Sequence, residues 1–287
     1  MTTVSFIGAG RVASVLGRAL SARGVQVACV ASRRDASARR LAAALPGCEA
    51  GPAQAAAARS DVVFVTVPDD ALAEVASSLS WRPGSVVLHC SGGTEVGVLA
   101  PAASAGALTG GFHPLQNFAD PDIALGMLEG CAVAVEGDGR VAVLLERFAA
   151  LLGMTPIRLP PEARTRYHAG ANYAASFLLS ALGEAVALWR SFGVDEDEAL
   201  RALLPLSRAT LEAVAKGGLA HGLSGPFSRG DAGAVAAHLD HLGRLGADHA
   251  DFYRSVGRRQ VEIAAAAGRL EPGRLRRMTD ILREGTP

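Results

Sequence analysis

Two polar residues open an otherwise apolar helical stretch in the second half of the chain. His168 and Asn172 are four residues apart, so a helix places both side chains on one face. An imidazole titrates near neutral pH and can pass a proton. The pair is therefore a candidate catalytic pair, and its role depends on what this helix face meets. The alternative is that both side chains only make structural hydrogen bonds at a domain interface.

A glycine-rich turn stands near the start of the chain. The segment GAGRVA, residues 8–13, follows the strand-like run TVSFI and precedes a helical pattern, which is the context of the dinucleotide-binding fingerprint. The glycines allow a tight turn and a close approach of the backbone to a pyrophosphate, and the helix N-terminus offers N–H groups to the phosphates. The alternative is a glycine turn that binds nothing. The residues predicted to bind the cofactor here are Gly8, Ala9, Gly10, Arg11 and Val12.

The residues that follow the second strand-like run indicate which dinucleotide binds. Ser32, Arg33 and Arg34 stand where a site that prefers NAD usually has an acidic residue for the ribose 2′-hydroxyl. A guanidinium matches the forked geometry of a phosphate group. The three residues therefore predict NADP(H) as cofactor. The alternative is a solvated start of the next helix.

Two further strand-like runs end in residues that can reach the same ligand. Val67 and Pro68 close the run DVVFVTVP, and Ser91 and Gly92 follow the run SVVLHC. Ligands of open α/β sheets bind at the carboxyl ends of parallel strands. Val67 and Pro68 are thus predicted to pack on the cofactor, and Ser91 and Gly92 to approach the nicotinamide. Ordinary turns between strand and helix are the alternative.

The segment HPLQ carries two more candidates. His113 and Gln116 follow the strand-like run ALTGGF, which places them at a strand end. We predict that His113 takes part in catalysis and that Gln116 contacts the substrate. A local turn stabilised by Pro114 is the alternative.

The order of these elements predicts a two-domain chain. Apolar strands alternate with helical segments up to Pro160, which is typical of a mostly parallel, doubly wound sheet with helices on both faces. Helical periodicity then replaces the strand patterns. The prediction is a nucleotide-binding α/β domain over residues 1–160 and an all-helical domain over residues 161–287.

The motifs together resemble a known family. In order they are the glycine fingerprint, VPD at 67–69, HPLQ at 113–116, YHAGA at 167–171 and GPFSRGD at 225–231. This combination is similar to the family that joins a Rossmann-like domain to a C-terminal domain named DUF2520, and it covers nearly the whole chain. The family looks related to ketopantoate reductase, pyrroline-5-carboxylate reductase and the 6-phosphogluconate dehydrogenase-like proteins.

This resemblance implies an NADP-dependent oxidoreductase with a helical domain of the 6-phosphogluconate dehydrogenase C-terminal-like type. A small-molecule substrate would lie in the cleft between the domains, and the helical domain would form a homodimer. The first long helix after the Rossmann-like domain would line this cleft, with His168 as proton donor to a carbonyl, imine or hydroxyl group and Asn172 as the residue that orients it. Arg229 can then bind a substrate carboxylate as a bidentate fork, or only shape its loop. Hydroxyacid-type relatives often carry a lysine on the helix of His168, whereas Lys216 is the one lysine of this chain. A non-catalytic NADP-binding sensor or interaction protein is therefore the alternative function.

Composition excludes several other classes of protein. The formal net charge is +0, so there is no basic excess of the kind that nucleic-acid binders show. The longest uncharged helical run, residues 169–183, is shorter than a bilayer requires. The four cysteines show no CxxC spacing, which favours reduced thiols, and the histidines form no metal-binding pattern. We expect a cytoplasmic protein without a metal, a nucleic-acid partner or a membrane anchor.

Overall fold

The computed structural model describes residues 2–160 and 162–283 and divides into two compact units, Met1–Phe177 and Leu178–Pro287. The last strand ends at Arg158, so strands stop where the sequence pattern changes. The first helix after that point belongs to the first unit, and His168 and Asn172 therefore lie in the same unit as the sheet. The domain boundary near Pro160 stays a prediction.

Within the described residues, the first unit contains one eight-stranded sheet of order β3-β2-β1-β4-β5-β6-β7-β8. Neighbouring strands are parallel except β6 and β7, which are antiparallel. The order from β3 to β6 is that of dinucleotide-binding sheets, and the mostly parallel sheet confirms the predicted fold class. The strands are β1 Thr3–Ile7, β2 Gln26–Ala31, β3 Glu49–Ala50, β4 Val62–Val65, β5 Val86–His89, β6 Leu108–Pro114, β7 Ala132–Glu136 and β8 Thr155–Arg158.

The sheet is buried on both faces because successive side chains of a strand point to opposite sides. In β4, Phe64 joins one buried cluster and Val63 and Val65 join the other. The Phe64 ring stacks on Phe6 at a centroid distance of 5.2 Å and meets Phe112 edge-on at 5.9 Å. These rings pack the centres of β1, β4 and β6 against one another, and polar residues lie at the strand ends.

Short helices connect these strands. The strands alternate with α1 to α7, and α8 follows β8. The helices are α1 Arg11–Ala22, α2 Asp35–Ala43, α3 Ala53–Arg59, α4 Leu72–Ser78, α5 Ala100–Ser104, α6 Pro121–Gly126, α7 Gly139–Leu151 and α8 Arg164–Ala174.

The described part of the second unit is helical. Two aspartates cap helices there: the Asp195 side chain accepts from the Glu198 N–H at 2.8 Å, and the Asp231 side chain accepts from the Ala234 N–H at 3.1 Å. The helices are α9 Ser176–Arg190, which begins in the first unit, α10 Glu196–Gly217, α11 Gly225–Arg229, α12 Ala232–Leu245, α13 Ala247–Ala266 and α14 Pro272–Arg283.

One long helical stretch differs from its sequence pattern. The pattern predicts a single helix over residues 162–192, but the structure has α8 and α9 with a break at Ala175.

Among the described residues, the stretch Arg164–Arg190 alone is long and apolar enough to cross a membrane, and 6% of its apolar window is buried. The absence of membrane contact stays a prediction.

Candidate cofactor cavity and histidine cluster

A cavity of about 1230 Å³ lies at the carboxyl ends of β1, β2 and β4. This is where ligands of open α/β sheets bind. Most of the residues that sequence reasoning assigned to the cofactor line it. They are Gly8, Ala9, Gly10, Arg11, Ser32, Arg33, Arg34, Val67 and Pro68.

The glycine turn at one wall of this cavity requires its first glycine. Gly8 has a φ of +109°, and a Cβ there would lie 2.4 Å from the Thr66 carbonyl oxygen. The Gly8 N–H donates to the Ala31 carbonyl at 2.8 Å, and the Thr66 hydroxyl donates to the Gly8 carbonyl at 2.8 Å. The turn is thus held between β2 and β4. At Gly10, where α1 begins, no side chain caps the helix, so its first N–H groups can meet an anion.

The opposite wall is rich in arginine. Ser32, Arg33 and Arg34 line it as predicted, and Ser37 and Arg40 of α2 join them. Ser37 and Arg40 were not predicted to line the site. Their signal is helical spacing, because positions three and four residues apart on α2 share one face. This wall can bind a phosphate group through hydroxyl and guanidinium donors.

Three residues assigned to the cofactor do not line the cavity. Val12 packs partly buried against the core. The buried Ser91 donates its hydroxyl to the Asp69 carboxylate at 2.8 Å and accepts the Thr94 N–H at 3.0 Å, so it joins the loops after β4 and β5. Gly92 is also buried. Their contact with a cofactor stays a prediction.

A histidine cluster lies at the next strand ends of the same sheet. The Nδ1 atom of His113, on β6, is 2.8 Å from the Tyr167 hydroxyl of α8. The His113 and His168 ring centroids are 6.1 Å apart with an interplanar angle of 86°. A Cβ on Gly92 would lie 2.7 Å from His168 Cδ2 and 2.8 Å from His113 Nε2. The absence of a side chain at Gly92 therefore lets both imidazoles approach the end of β5.

A buried arginine attaches α8 to this edge. The Arg164 side chain is 1% exposed, and its Nε donates to the Glu136 carboxylate of β7 at 2.7 Å. Its guanidinium also donates to the Ser91 carbonyl. A Cβ on Gly111 would lie 2.7 Å from Arg164 Nη2, so the strand leaves room for the guanidinium there. Sequence reasoning missed this ion pair, and its one local signal is a pair of glycines inside β6.

Burial sets the protonation of the cluster. Burial first, and then the Arg164 and His168 charges, lower the pKa of His113 to about 4, with a smaller opposing effect of Asp69. Burial raises the pKa of Tyr167 to about 12. Near neutral pH the imidazole of His113 and the phenol of Tyr167 are both uncharged. His113 and Tyr167 therefore offer hydrogen-bond donors without net charge of their own.

The remaining predicted residues have other surroundings. The Asn172 side chain accepts from the Ser176 hydroxyl at 3.2 Å. The Gln116 amide donates to the Met127 carbonyl at 2.9 Å and accepts the Asn117 N–H at 2.7 Å, within its own loop. Their roles stay predictions.

Arg229 belongs to the second unit, where its carbonyl accepts from Arg274 at 2.6 Å. Its predicted role with a substrate carboxylate is untested. Within the residues that the structure describes, no group of three or more histidine, cysteine or acidic side chains is arranged to hold a metal.

Solved structures share this fold. A proposed NADP oxidoreductase from Bacteroides fragilis is 23% identical with a TM-score of 0.74, and the match covers 91% of this chain and 98% of that chain. A protein from Thermotoga maritima is 24% identical with a TM-score of 0.74, covering 92% and 98%. A reductive aminase from Aspergillus terreus, solved with NADPH, is 18% identical with a TM-score of 0.63, covering 99% and 95%. At these identities the likeness shows the fold.

Two family models match successive parts of the chain. Residues 1–114 match the Rossmann-like domain, and residues 131–260 match the domain of unknown function DUF2520. The comparison with curated proteins gives no match. The chain thus belongs with the proteins that join a Rossmann-like domain to a DUF2520 domain, as the order of its motifs predicts.

Proposed function

We propose that the chain is an NADP(H)-dependent oxidoreductase acting on a small carbonyl, imine or hydroxyacid substrate. The observation that carries the proposal is the cavity itself. It has a helix N-terminus at one wall and an arginine cluster at the other, and His113 and His168 lie at the adjacent strand ends. The shared fold with a reductive aminase solved with NADPH supports the same class of reaction.

The two walls of the cavity match the two anionic groups of the cofactor. The pyrophosphate would lie on the Gly8 turn, where the backbone can approach closely and the α1 N–H groups point at it. The 2′-phosphate would be held by Ser32, Arg33 and Arg34. Asp35, the nearest carboxylate in sequence, pairs with Arg39 and does not line the cavity. Five arginines and one carboxylate, Glu74, line the cavity, so its lining is positively charged, which favours NADP(H) over NAD(H).

The reaction needs a hydride and a proton. When bound, the cofactor supplies or accepts the hydride. On α8, His168 is the residue that we propose to donate the proton in reduction and to accept it in oxidation, and Asn172 orients the substrate. His113 lies beside His168 and can donate a hydrogen bond to the same substrate atom.

Cofactor binding tests the proposal directly. Calorimetric titration of the purified chain with NADPH and NADH is expected to show tighter binding of NADPH. Arg33→Ala removes a charge-assisted hydrogen bond worth about 1.5–3 kcal/mol, so we expect NADPH affinity to fall roughly 10- to 100-fold with NADH affinity little changed. The matched control is Arg39→Ala, because Arg39 is on α2, the helix that follows Arg33, and does not line the cavity. Failure of the wild-type chain to bind either dinucleotide would refute the proposal.

A non-catalytic NADP-binding sensor or interaction protein is the second candidate. The absence of lysine from α8 favours it, since hydroxyacid-type relatives use one there. His168→Ala separates the two functions once a substrate is found among ketoacids and imines. An enzyme should lose most of its turnover while keeping NADPH affinity, whereas a sensor should show no turnover before or after the change.

We also propose that two copies associate through their helical parts. Several large apolar side chains on α8, α9 and α10 are exposed, including Tyr173 at 71% and Leu179 at 71%, and such patches mark protein interfaces. Analytical ultracentrifugation of Leu179→Glu should show dissociation, and Ile123→Glu, an exposed site on α6, should not.

The four cysteines are unpaired, which supports a cytoplasmic location.

A further inference from the structure

We propose that Tyr167 is a positioning residue that fixes the tautomer of His113, so that His113 presents an Nε2–H group to the substrate. The inference rests on the proposed function and deepens it, because it names the group that would bind the reacting oxygen or nitrogen.

The geometry makes Tyr167 the partner of one ring nitrogen. Its hydroxyl lies 2.8 Å from His113 Nδ1, and the two rings meet edge-on at a centroid distance of 5.6 Å with an interplanar angle of 88°. Both side chains are partly buried. A neutral imidazole has one protonated and one bare nitrogen, and the hydrogen bond at one of them decides which is which.

The chemistry of the pair decides the direction of this hydrogen bond. A phenol is a good donor and a weak acceptor, because its oxygen lone pair is delocalised into the ring. The bare nitrogen of an imidazole is a strong acceptor. Burial raises the pKa of Tyr167 to about 12, so the hydroxyl keeps its proton. Tyr167 therefore donates to Nδ1, and the proton of His113 resides on Nε2.

The other nitrogen lies beside the loop that follows β5. A Cβ on Gly92 would lie 2.8 Å from His113 Nε2 and 3.0 Å from His113 Cε1, so this side of the ring lies against the end of β5. The carboxyl ends of parallel strands are the ligand-binding edge. The Asp69–Ser91 hydrogen bond connects this point to the loop after β4, in which Pro68 lines the cavity.

The charges around His113 keep it a neutral donor. Burial most of all, and then Arg164 and His168, disfavour an added proton, and Asp69 favours it to a smaller extent. Tyr167 is hydrogen-bonded to the ring, and the buried His89 interacts with it electrostatically. A neutral imidazole N–H can polarise a carbonyl or imine and still keep its proton. The pair would thus stabilise negative charge that develops on the substrate, and His168 would deliver the proton.

Nitrogen-15 NMR of the ring atoms tests this without any enzyme assay. Long-range ¹H–¹⁵N spectra distinguish the two tautomers, and the His113 signals are assigned with a His113→Gln variant. At pH 7 we expect His113 of the wild-type chain to be neutral and protonated on Nε2. Tyr167→Phe keeps the ring and removes the hydroxyl, so we expect a mixture of tautomers or the Nδ1–H form.

A second tyrosine–histidine pair provides the matched control. In the second unit, His238 Nδ1 lies 2.7 Å from the Tyr253 hydroxyl, with the rings again edge-on. Tyr253→Phe should change the signals of His238 and leave those of His113 as they are. In turnover assays, Tyr167→Phe should lower kcat by about 10- to 100-fold with little change in the KM for NADPH, and Tyr253→Phe should change neither.

The outcomes separate this inference from the proposed function. A wild-type His113 that carries its proton on Nδ1, or a tautomer that Tyr167→Phe leaves unchanged, overturns the inference even where NADPH binds tightly. A chain that binds no dinucleotide removes the proposed function and with it the catalytic meaning of the pair, whatever the tautomer. An unchanged kcat in Tyr167→Phe, with NADPH bound and the tautomer altered, also contradicts the role assigned to Tyr167.

Discussion

Replacing Arg164 with methionine tests whether one buried ion pair holds α8 against the sheet. Methionine has a similar length and no charge, so the change removes the guanidinium with little loss of volume. The Glu136 carboxylate, which is 19% exposed, then loses its cation, and the Ser91 carbonyl loses a donor. Since α8 carries Tyr167 and His168, the histidine cluster should lose its geometry along with the stability of the first unit.

The burial of the pair sets the expected magnitude. Removing one partner of a buried ion pair costs about 3–5 kcal/mol because the other charge stays buried without compensation. The first unit covers Met1–Phe177, and for a domain of this size 1 kcal/mol corresponds to about 2–4 °C in Tm. We therefore expect Arg164→Met to lower the Tm of the first unit by about 6–20 °C.

Scanning calorimetry with a surface control measures this effect. Arg158 pairs with Glu146 at side-chain exposures of 64% and 46%, and such surface pairs contribute about 0–1 kcal/mol. Arg158→Met should therefore lower the Tm by no more than about 4 °C. Adding Glu136→Gln to Arg164→Met removes the unpaired charge and should recover part of the loss. Equal shifts for Arg164→Met and Arg158→Met would refute the anchoring role of the buried pair.

Two further predictions concern the same edge of the sheet. Gly92→Ala should lower the free energy of unfolding by about 1–3 kcal/mol, because its Cβ would lie 2.7 Å from His168 Cδ2. The control is Gly97→Ala, whose Cβ meets nothing within 4 Å. Equal urea midpoints for the two variants would contradict the tight packing at Gly92. Burial lowers the pKa of His89 to about 3 and that of His113 to about 4, below the usual value near 6.5. Between pH 6.5 and 5 the unfolded chain therefore binds protons that the folded chain does not. The free energy of unfolding should fall with decreasing pH by up to about 1.4 kcal/mol per pH unit for each histidine. Urea unfolding at several pH values across this range gives the slope of the free energy of unfolding against pH. That slope should be smaller for His113→Gln than for the wild type, and a slope unchanged by the substitution would disprove the buried neutral state of His113.

Much of the fold follows from local patterns. The β-branched runs that become β1, β4 and β5 and the helical periodicity after Pro160 depend on residues near one another in the chain, so both are visible in sequence. The glycine fingerprint is local for the same reason, and Gly8 occupies the strained turn that its position predicts. The two-residue β3 and the break at Ala175 escaped prediction, because short elements and single-residue breaks have no periodicity of their own.

Some features of the candidate site are likewise visible in the sequence, and others depend on the fold. The sequence by itself identified the arginine-rich wall of the cavity, since Ser32, Arg33 and Arg34 directly follow a strand, and it identified His113 and His168 as separate candidates. Only the tertiary structure decided that these two rings are neighbours and that Tyr167 bonds to one of them across a separation of 54 residues.

The pairing of Arg164 with Glu136, across 28 residues, was likewise decided by the fold. Residue type and spacing specify which groups are available and which share one helix face. The distance between groups on different elements depends on strand order and on how closely a helix packs on the sheet, and those follow from the burial of the whole core.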